Sequence, residues 1–502
     1  MSLDCNTSHS KHNARWSVVF LALGLSACSF SPKNITTAER QARIQQDWQA
    51  IFTNTEPYFG KLSLYQSMAR AIKYNLDLKL KQAEQAYAQA DTNLANATML
   101  PQLIAEGGYT ARNNSYSVRS PNNPGTLTST EDRDQHDGKL QFSWNVLDFG
   151  ISYLDAKQKA DLFLITQERK RHLLQQITKD IRFTYWQAWA AQNLSSKISP
   201  FIHEINDAVT MSHRAEREQL IPPAKAAYFR AELWQTYDEM YQIYSNLMQA
   251  KPELLAMLRI HPNAKVWLSQ PTLILRQLPK NFPLDKPEQL QQLALHHRPE
   301  LREEDYQKRT RLTEITKSKL KFLPQLNITA GKNYDSNSFL INKQWADFAI
   351  RTTLDLLQVF SKYYALKSAK IDAMIADLRR QALSIAVLTQ VEVSRLAYLE
   401  AEKRLKIARH IRDNRYQHYL HLANEQKVEL NDKLSIVNAK AKWLLAKLKF
   451  NLAYAQWANA SSQLLNTVGY DPLHNVQTLD LPVNQLAKQI QQSLDSAPST
   501  NA

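Results

Sequence analysis

The side chains best suited to chemistry are few and scattered. His296 and His297 are adjacent, and neighbouring residues on a helix project about 100° apart, so they form no metal pair without a carboxylate-histidine spacing, which is absent. Tyr185, Trp186 and Trp189 cluster at helical spacing and read as core or interhelical packing, not as a stacking platform. Only 9 of 502 residues are Gly, and no glycine-rich phosphate loop, metal-ligand cluster or nucleophile motif occurs. No enzyme chemistry and no cofactor is expected. The 2 cysteines, Cys5 and Cys28, both lie near the N-terminus, so no disulfide framework is possible downstream.

Cys28 is the exception with a chemistry of its own. Lys11, His12 and Arg15 precede a short apolar run from Trp16 to Leu25, the layout of a secretory leader. Leu25-Ser26-Ala27-Cys28 resembles the bacterial lipobox, whose cysteine is lipidated and becomes the first mature residue. An acyl chain contributes about 0.8 kcal/mol per buried CH₂ to anchoring. A small apolar Cys in an ordinary cleaved signal or in an uncleaved anchor is the plainer alternative. Residues 1–27 are read as the lipoprotein signal and 28–61 as a tether. Ser29 stands where an aspartate marks inner-membrane retention in enterobacteria, which by analogy points to the outer membrane.

The rest of the chain reads as a duplication. Leu100-Pro101-Gln102-Leu103 repeats as Leu323-Pro324-Gln325-Leu326, Ile181 to Thr184 aligns with Val391 to Ser394, and His261-Pro262 with Asp471-Pro472. Repeat 1 spans 62–262 and repeat 2 spans 288–470, with a proline-rich linker over 263–287 that would form a belt. Each repeat opens with a helix, 62–99 or 288–322, that stops before its proline. Two strands follow, about 102–112 and 139–148 in repeat 1, and about 325–335 and 346–356 in repeat 2. Leu140, Phe142, Trp144 and Val146 alternate with Lys139, Gln141, Ser143 and Asn145, and Phe348, Ile350, Leu354 and Leu356 with Asp347, Arg351, Thr353 and Asp355. Long helices are expected over 152–219 and 362–427, each roughly 100 Å if unbroken, with returning helices over 224–250 and 432–465. Pro200 is expected to kink the first. Residues 113–138 form a polar loop, and 471–502 a tail.

No run of 18 or more apolar residues occurs, so a membrane crossing must be made of strands. Ten-residue amphipathic strands have the right length, and Trp144, Trp345, Tyr109 and Tyr334 would supply interfacial aromatics. The same alternation also suits the edge of a soluble sandwich. Four strands cannot close a pore, and an open edge is forbidden in lipid, so three copies and twelve strands resolve the conflict. The formal charge of +15 is spread over helical faces together with Asp and Glu, which excludes nucleic acid as a partner.

Together, the lipobox, the duplicated Leu-Pro-Gln-Leu, Trp144-Asn145-Val146-Leu147-Asp148-Phe149-Gly150 and the paired long helices resemble the TolC family of outer-membrane factors from residue 28 to 470. The resemblance implies a mainly α chain with a membrane β-barrel: a homotrimer with a 12-strand barrel and a long α-helical coiled-coil barrel. It implies a passive duct for efflux or type I secretion in the outer membrane, opened by a periplasmic membrane-fusion adaptor and an inner-membrane RND or ABC transporter. By position the adaptor-docking tips are Leu220, Ile221, Pro222 and Pro223, and Val428, Glu429, Leu430 and Asn431. The family's aperture carboxylates fall on Ser435 and Asn438, with Asp432 the nearest acid. Both tips lack the glycine common in the family, and repeat 2 has Gln358-Val359-Phe360 where repeat 1 has Asp-Phe-Gly. A lipid-anchored coiled-coil spacer without a pore is the alternative, and it leaves the amphipathic strands without purpose.

Overall fold

The computed structural model describes residues 33–52, 55–58, 60–120, 123–270, 278, 282–424, 430–470, 473 and 480–495, with backbone alone at 120, 123–128, 194, 197–199, 430–432 and 494–495. Cys28 lies outside the described residues. The chain divides into a short N-terminal unit ending at Thr55 and a large unit from Glu56 onward. The described residues of the first contain one helix, α1 (Thr37–Phe52), within the segment read as a tether. Thr36 and Glu39 exchange side-chain and backbone hydrogen bonds of 2.8 and 3.2 Å, a capping box that lets a short helix start on its own.

In the large unit the expected first helix is two, because residue 75 has extended backbone. β1 (Lys61–Leu62) leads into α2 (Leu64–Tyr74), and α3 (Leu76–Ala97) restarts where Asn75 Oδ1 accepts from the Leu78 N–H at 2.8 Å. The corresponding break in repeat 2 separates α7 (Pro287–His297) from α8 (Pro299–Leu320), since Arg298 precedes a proline and takes extended backbone. β2 (Gln102–Ala111) starts immediately after Pro101. The expected polar loop is instead a hairpin of β3 (Tyr116–Ser120) and β4 (Asn123–Glu131), followed by β5 (Asp134–Asn145), which begins earlier than its apolar alternation.

Val146 to Gly150 forms the first turn of α4 (Val146–Arg217). Asn145 Oδ1 accepts from the N–H groups of Leu147 and Asp148, both at 3.1 Å, and so starts the helix six residues before the expected 152. Pro200 sits inside this continuous helix. Then come α5 (Pro223–Met248), α6 (Ala250–Met257), β6 (Trp267–Leu268), β7 (Gln325–Asp335), β8 (Gln344–Thr353), α9 (Gln358–Asn424) and α10 (Leu430–Thr467). β8 ends before the expected 356 because Asp355 caps the next helix, accepting from Leu357 and Gln358 N–H. The expected tail contains α11 (Val483–Asp495), which packs on α2.

The repeats are joined side by side. One antiparallel sheet runs β2-β5-β7-β8, so the two hairpins abut through β5 and β7. Below it α3, α4, α8 and α9 lie in that order. Beyond their ends α4 and α5 form one hairpin and α9 and α10 the other, with α10 packed on both α4 and α5.

Candidate functional site

Directly opposed residues of an antiparallel pair share a face, so the register assigns the two surfaces of the sheet. Leu103, Phe142, Ala330 and Phe348 stand in one cross-strand row, and Trp144, Ile328 and Ile350 in the next. The other face carries Glu106, Lys139, Asn333 and Trp345 in one row, Ile104, Gln141, Gly331 and Asp347 in another, and Asn145, Asn327 and Arg351 in a third. One surface is therefore apolar and the other charged. Trp345 was expected among the interfacial aromatics but belongs to the charged face, because its partner is Asn333; Trp144, Tyr109 and Tyr334 are on the apolar one. A Cβ at Gly108 would collide with the Asp137 carboxylate, and one at Gly331 would lie 2.6 Å from Asp347 Oδ1, so these glycines let both carboxylates lie flat across the sheet.

The helical layer below the sheet is one helix thick and is joined laterally by ions. Lys159 meets Asp91 and Arg169 meets Glu303, each at 2.7 Å, and Arg311 meets Asp372 at 3.1 Å; Asp161 pairs with Arg309, Asp155 with Lys317, and Asp377 with Lys308. Its two outer edges are apolar. α3 exposes Leu76, Leu80, Tyr87 and Leu94, and α9 exposes Phe360, Tyr364, Ile371, Leu378 and Ile385, all between 45% and 73% exposed. Both series step by four and then seven, the spacing of a coiled-coil seam with no helix against it in the described chain. Because of this seam, α9 contains an 18-residue stretch apolar enough to cross a membrane by composition, which qualifies the expectation that no helix has one; 22% of the stretch is buried.

A conventional core occurs where α2, α4, α6 and α11 meet. Met68, Ile72, Leu254, Leu255, Leu486 and Ile490 are buried there. The Tyr185 hydroxyl reaches the carbonyl oxygens of Leu62 and Ser269, each at 2.8 Å, and burial pushes its pKa up. Gln192 clamps Leu268 through both its amide atoms. These contacts fix the β1–β6 ladder and the first part of the expected belt to α4; residues 271–277 and 279–281 of that belt lie outside the described residues. Trp186 packs on Tyr454 of α10 and edge-on to Trp189, as interhelical packing requires. Nearby, Glu300 accepts from Arg298 at 2.7 Å and lies 3.2 Å from His172 Nδ1. Burial would raise its pKa, but the hydrogen bonds from His172 and Arg298 outweigh burial and hold it at about 2. The rings of His296 and His297 are 6.4 Å apart, and among the described residues no group of His, Cys, Asp and Glu could hold a metal.

Towards the hairpin ends the packing is heptad. Phe201, Ile205, Ala208, Ser212 and Ala215 of α4 face Ala226, Leu233, Met240 and Leu247 of α5, and Leu434, Ala441 and Leu448 of α10 fit against them. Lysines then tie α10 down. Lys440 binds Glu204 at 2.6 Å, Lys449 binds Glu239 at 2.7 Å, and Glu232 accepts from Lys442 and, at 2.7 Å, from Asn438 Nδ2. The Lys442 hydrogen bond holds the Glu232 carboxyl below the usual carboxylate range. Sequence reasoning did not single out these pairs; their signal was the lysine-rich, acid-poor stretch 433–449 set against the acidic stretch 204–239.

Of the expected tip residues, Leu220 is exposed while Ile221 turns into the core, after Gln219 adopts a left-handed backbone at φ 57°. Pro222 is the N-cap of α5 and Pro223 its first residue. Val428 and Glu429 lie outside the described residues, as do the side chains of Leu430, Asn431 and Asp432, which begin α10. Of the aperture candidates, Ser435 is exposed, and Asn438 is half-buried on Glu232.

No family model matches the chain, and no curated protein matches it in sequence. Solved structures do match. The outer-membrane channel OprN aligns at TM-score 0.63 and 15% identity over 81% of this chain and 89% of its own. The Campylobacter jejuni CmeC outer membrane channel aligns at TM-score 0.63 and 15% identity over 86% and 90%, and the outer membrane protein VceC of Vibrio cholerae at 0.62 and 14% over 81% and 96%. The expected resemblance thus stands at the level of fold: the chain has the TolC-like fold of these outer-membrane proteins.

Proposed function

We propose that three copies of this chain close into a passive outer-membrane duct for efflux or one-step secretion. The observation that carries this reading is the position of the open edges. The strand layer ends at β2 and β8, the helical layer at α3 and α9, and each edge strand is continuous with its edge helix. The β8/α9 side of one copy then meets the β2/α3 side of the next, which pairs every strand and covers both apolar seams. A closed barrel is the form of sheet that lipid permits, and twelve strands leave room for a lumen. The apolar face turns to lipid, and Glu106, Lys139, Asp347 and Arg351 line the water-filled side. A pore-free spacer would leave that apolar face in water.

In this reading Cys28 is lipidated, and Leu220 and Leu430, with their neighbours, are the surface on which a periplasmic adaptor and an inner-membrane transporter dock. The duct has no energy source, and docking opens it by moving α9 and α10 against α4 and α5. Electron microscopy of protein extracted from outer membranes tests the architecture: hollow three-fold particles are expected, and solid monomeric rods would remove the duct. Leu220→Asp with Leu430→Asp is expected to abolish export and leave trimers intact; normal export would sink the docking assignment.

A further inference from the structure

The proposed seam between copies changes chemistry below the core around Tyr185, and its partner surfaces are legible on both sides. On α9 the exposed apolar series continues from Ile385 through Leu396 and Ile407, then turns polar at Asn414 and His418. Here the helix carries a groove of about 430 Å³ lined by Ile407, His410, Ile411, Asn414, Arg415 and His418. At the opposite edge, α5 exposes Trp234, Tyr241 and Met248, seven residues apart and each next to a core residue (Leu233, Met240, Leu247). Trp234 and Tyr241 are joined through Tyr237 into a ladder of rings at 6.0 and 6.2 Å, with Asp238 exposed between them. Charge divides in the same way. Residues 201–249 contain seven Asp and Glu against four Lys and Arg, and residues 403–449 contain twelve Lys and Arg against four Asp and Glu.

Contacts within one chain set the relative heights. Glu232 of α5 is level with Asn438 and Lys442 of α10, and Trp443 of α10 is level with Tyr416 and Tyr419 of α9, at ring distances of 5.1 and 5.4 Å. Copies related by rotation about one axis keep these heights. Trp234 therefore stands level with Arg415 to His418, and Tyr241, further up an antiparallel helix, with Ile407 to Ile411.

We propose that the α9 groove receives the Trp234 and Tyr241 rings of the next copy's α5, with Asp238 of that helix against His410 and Arg415. The lower seam is then aromatic and cationic, whereas the upper seam, α3 on α9, is apolar throughout. The proposal rests on the ring of copies above and assigns one of its interfaces. A second copy is favoured over a docked adaptor because the groove continues the edge along which copies must meet.

The test uses full-length protein in outer membranes with two pairs of introduced cysteines and a short bifunctional maleimide. Trp234→Cys with His418→Cys probes the lower seam. Leu80→Cys with Ile375→Cys probes the upper one, each standing seventeen residues from the membrane end of its helix (Ala97 and Gln358). Both pairs are expected to convert most of the protein to covalent trimers, and each single variant to remain monomeric. Trimers from the upper pair with monomers from the lower would overturn the proposal and leave the duct standing. Cross-linking of the lower pair to a different polypeptide would assign the groove to the adaptor instead. Monomers from both pairs would overturn the ring itself.

Discussion

In the proposed trimeric duct, removing the lysines that tie α10 to the first hairpin should open the periplasmic end without unfolding it. The perturbation is Lys440→Ala, Lys442→Ala and Lys449→Ala together. Lys440–Glu204 and Lys449–Glu239 have side chains 29% to 52% exposed, so each is worth roughly 0.5 kcal/mol. Glu232 is less exposed and accepts from both Lys442 and Asn438. Its charge-assisted bond to Lys442 is worth about 1.5 kcal/mol. The sum, about 2.5 kcal/mol per chain, corresponds to roughly a 60-fold shift between tied and released forms. Purified trimers in planar bilayers report this as open-channel probability, expected to rise by more than an order of magnitude while the thermal melt moves little. An unchanged open probability in intact trimers would show that these pairs do not hold the closed form.

Three further outcomes follow from local geometry. Gly469 has φ 83°, and a Cβ there would lie 2.6 Å from the His297 carbonyl carbon, so Gly469→Ala combines strain with collision and should cost about 2–4 kcal/mol, read as a lowered melting temperature. Phe348→Arg and Thr329→Arg change opposite faces of the same sheet; the first should cost about 2–4 kcal/mol and deplete assembled protein from outer membranes, and the second should not, so equal loss would refute the face assignment. Glu300, held at about 2, contributes stability that is present above its unfolded value of 4.5 and is lost as pH falls from 4.5 towards 2. Glu300→Gln should flatten that part of the stability profile, measured by thermal melts across pH.

The duplication, the positions of the four strands and the long helices were legible because each rests on periodicity repeated over many residues. Alternation of Leu140, Phe142 and Trp144 identified β5, and the duplicated Leu-Pro-Gln-Leu located β2 and β7. Boundaries were misplaced where a single side chain overrides the pattern. Asn145 and Asp355 end strands by capping helices, and Asn75 divides a helix whose composition is uniform. The face of Trp345 was misread because aromaticity was weighed without register, and only the pairing with Asn333 settles it. The lysine–glutamate ties were missed for a related reason: Lys442 and Glu232 are 210 residues apart, and no periodicity joins residues on different helices.

The distribution of these interactions also says where the structure can yield. Around Tyr185, Leu254 and Ile490 the helices share a buried apolar core, where removing one large side chain costs about 2–5 kcal/mol. Gly469 pressed against His297 allows no sliding there. Below that level α10 still buries Leu434, Ala441 and Leu448, but much of what fixes it laterally is half-exposed ion pairs, each worth a fraction of that energy. Above it the helices pass into strands whose hydrogen bonds would be sealed in lipid. A force applied at Leu220 therefore meets its weakest resistance between that end of the hairpin and the core around Tyr185. Opening of the proposed duct is then a swing of the lower helices about that core, with the sheet closed throughout.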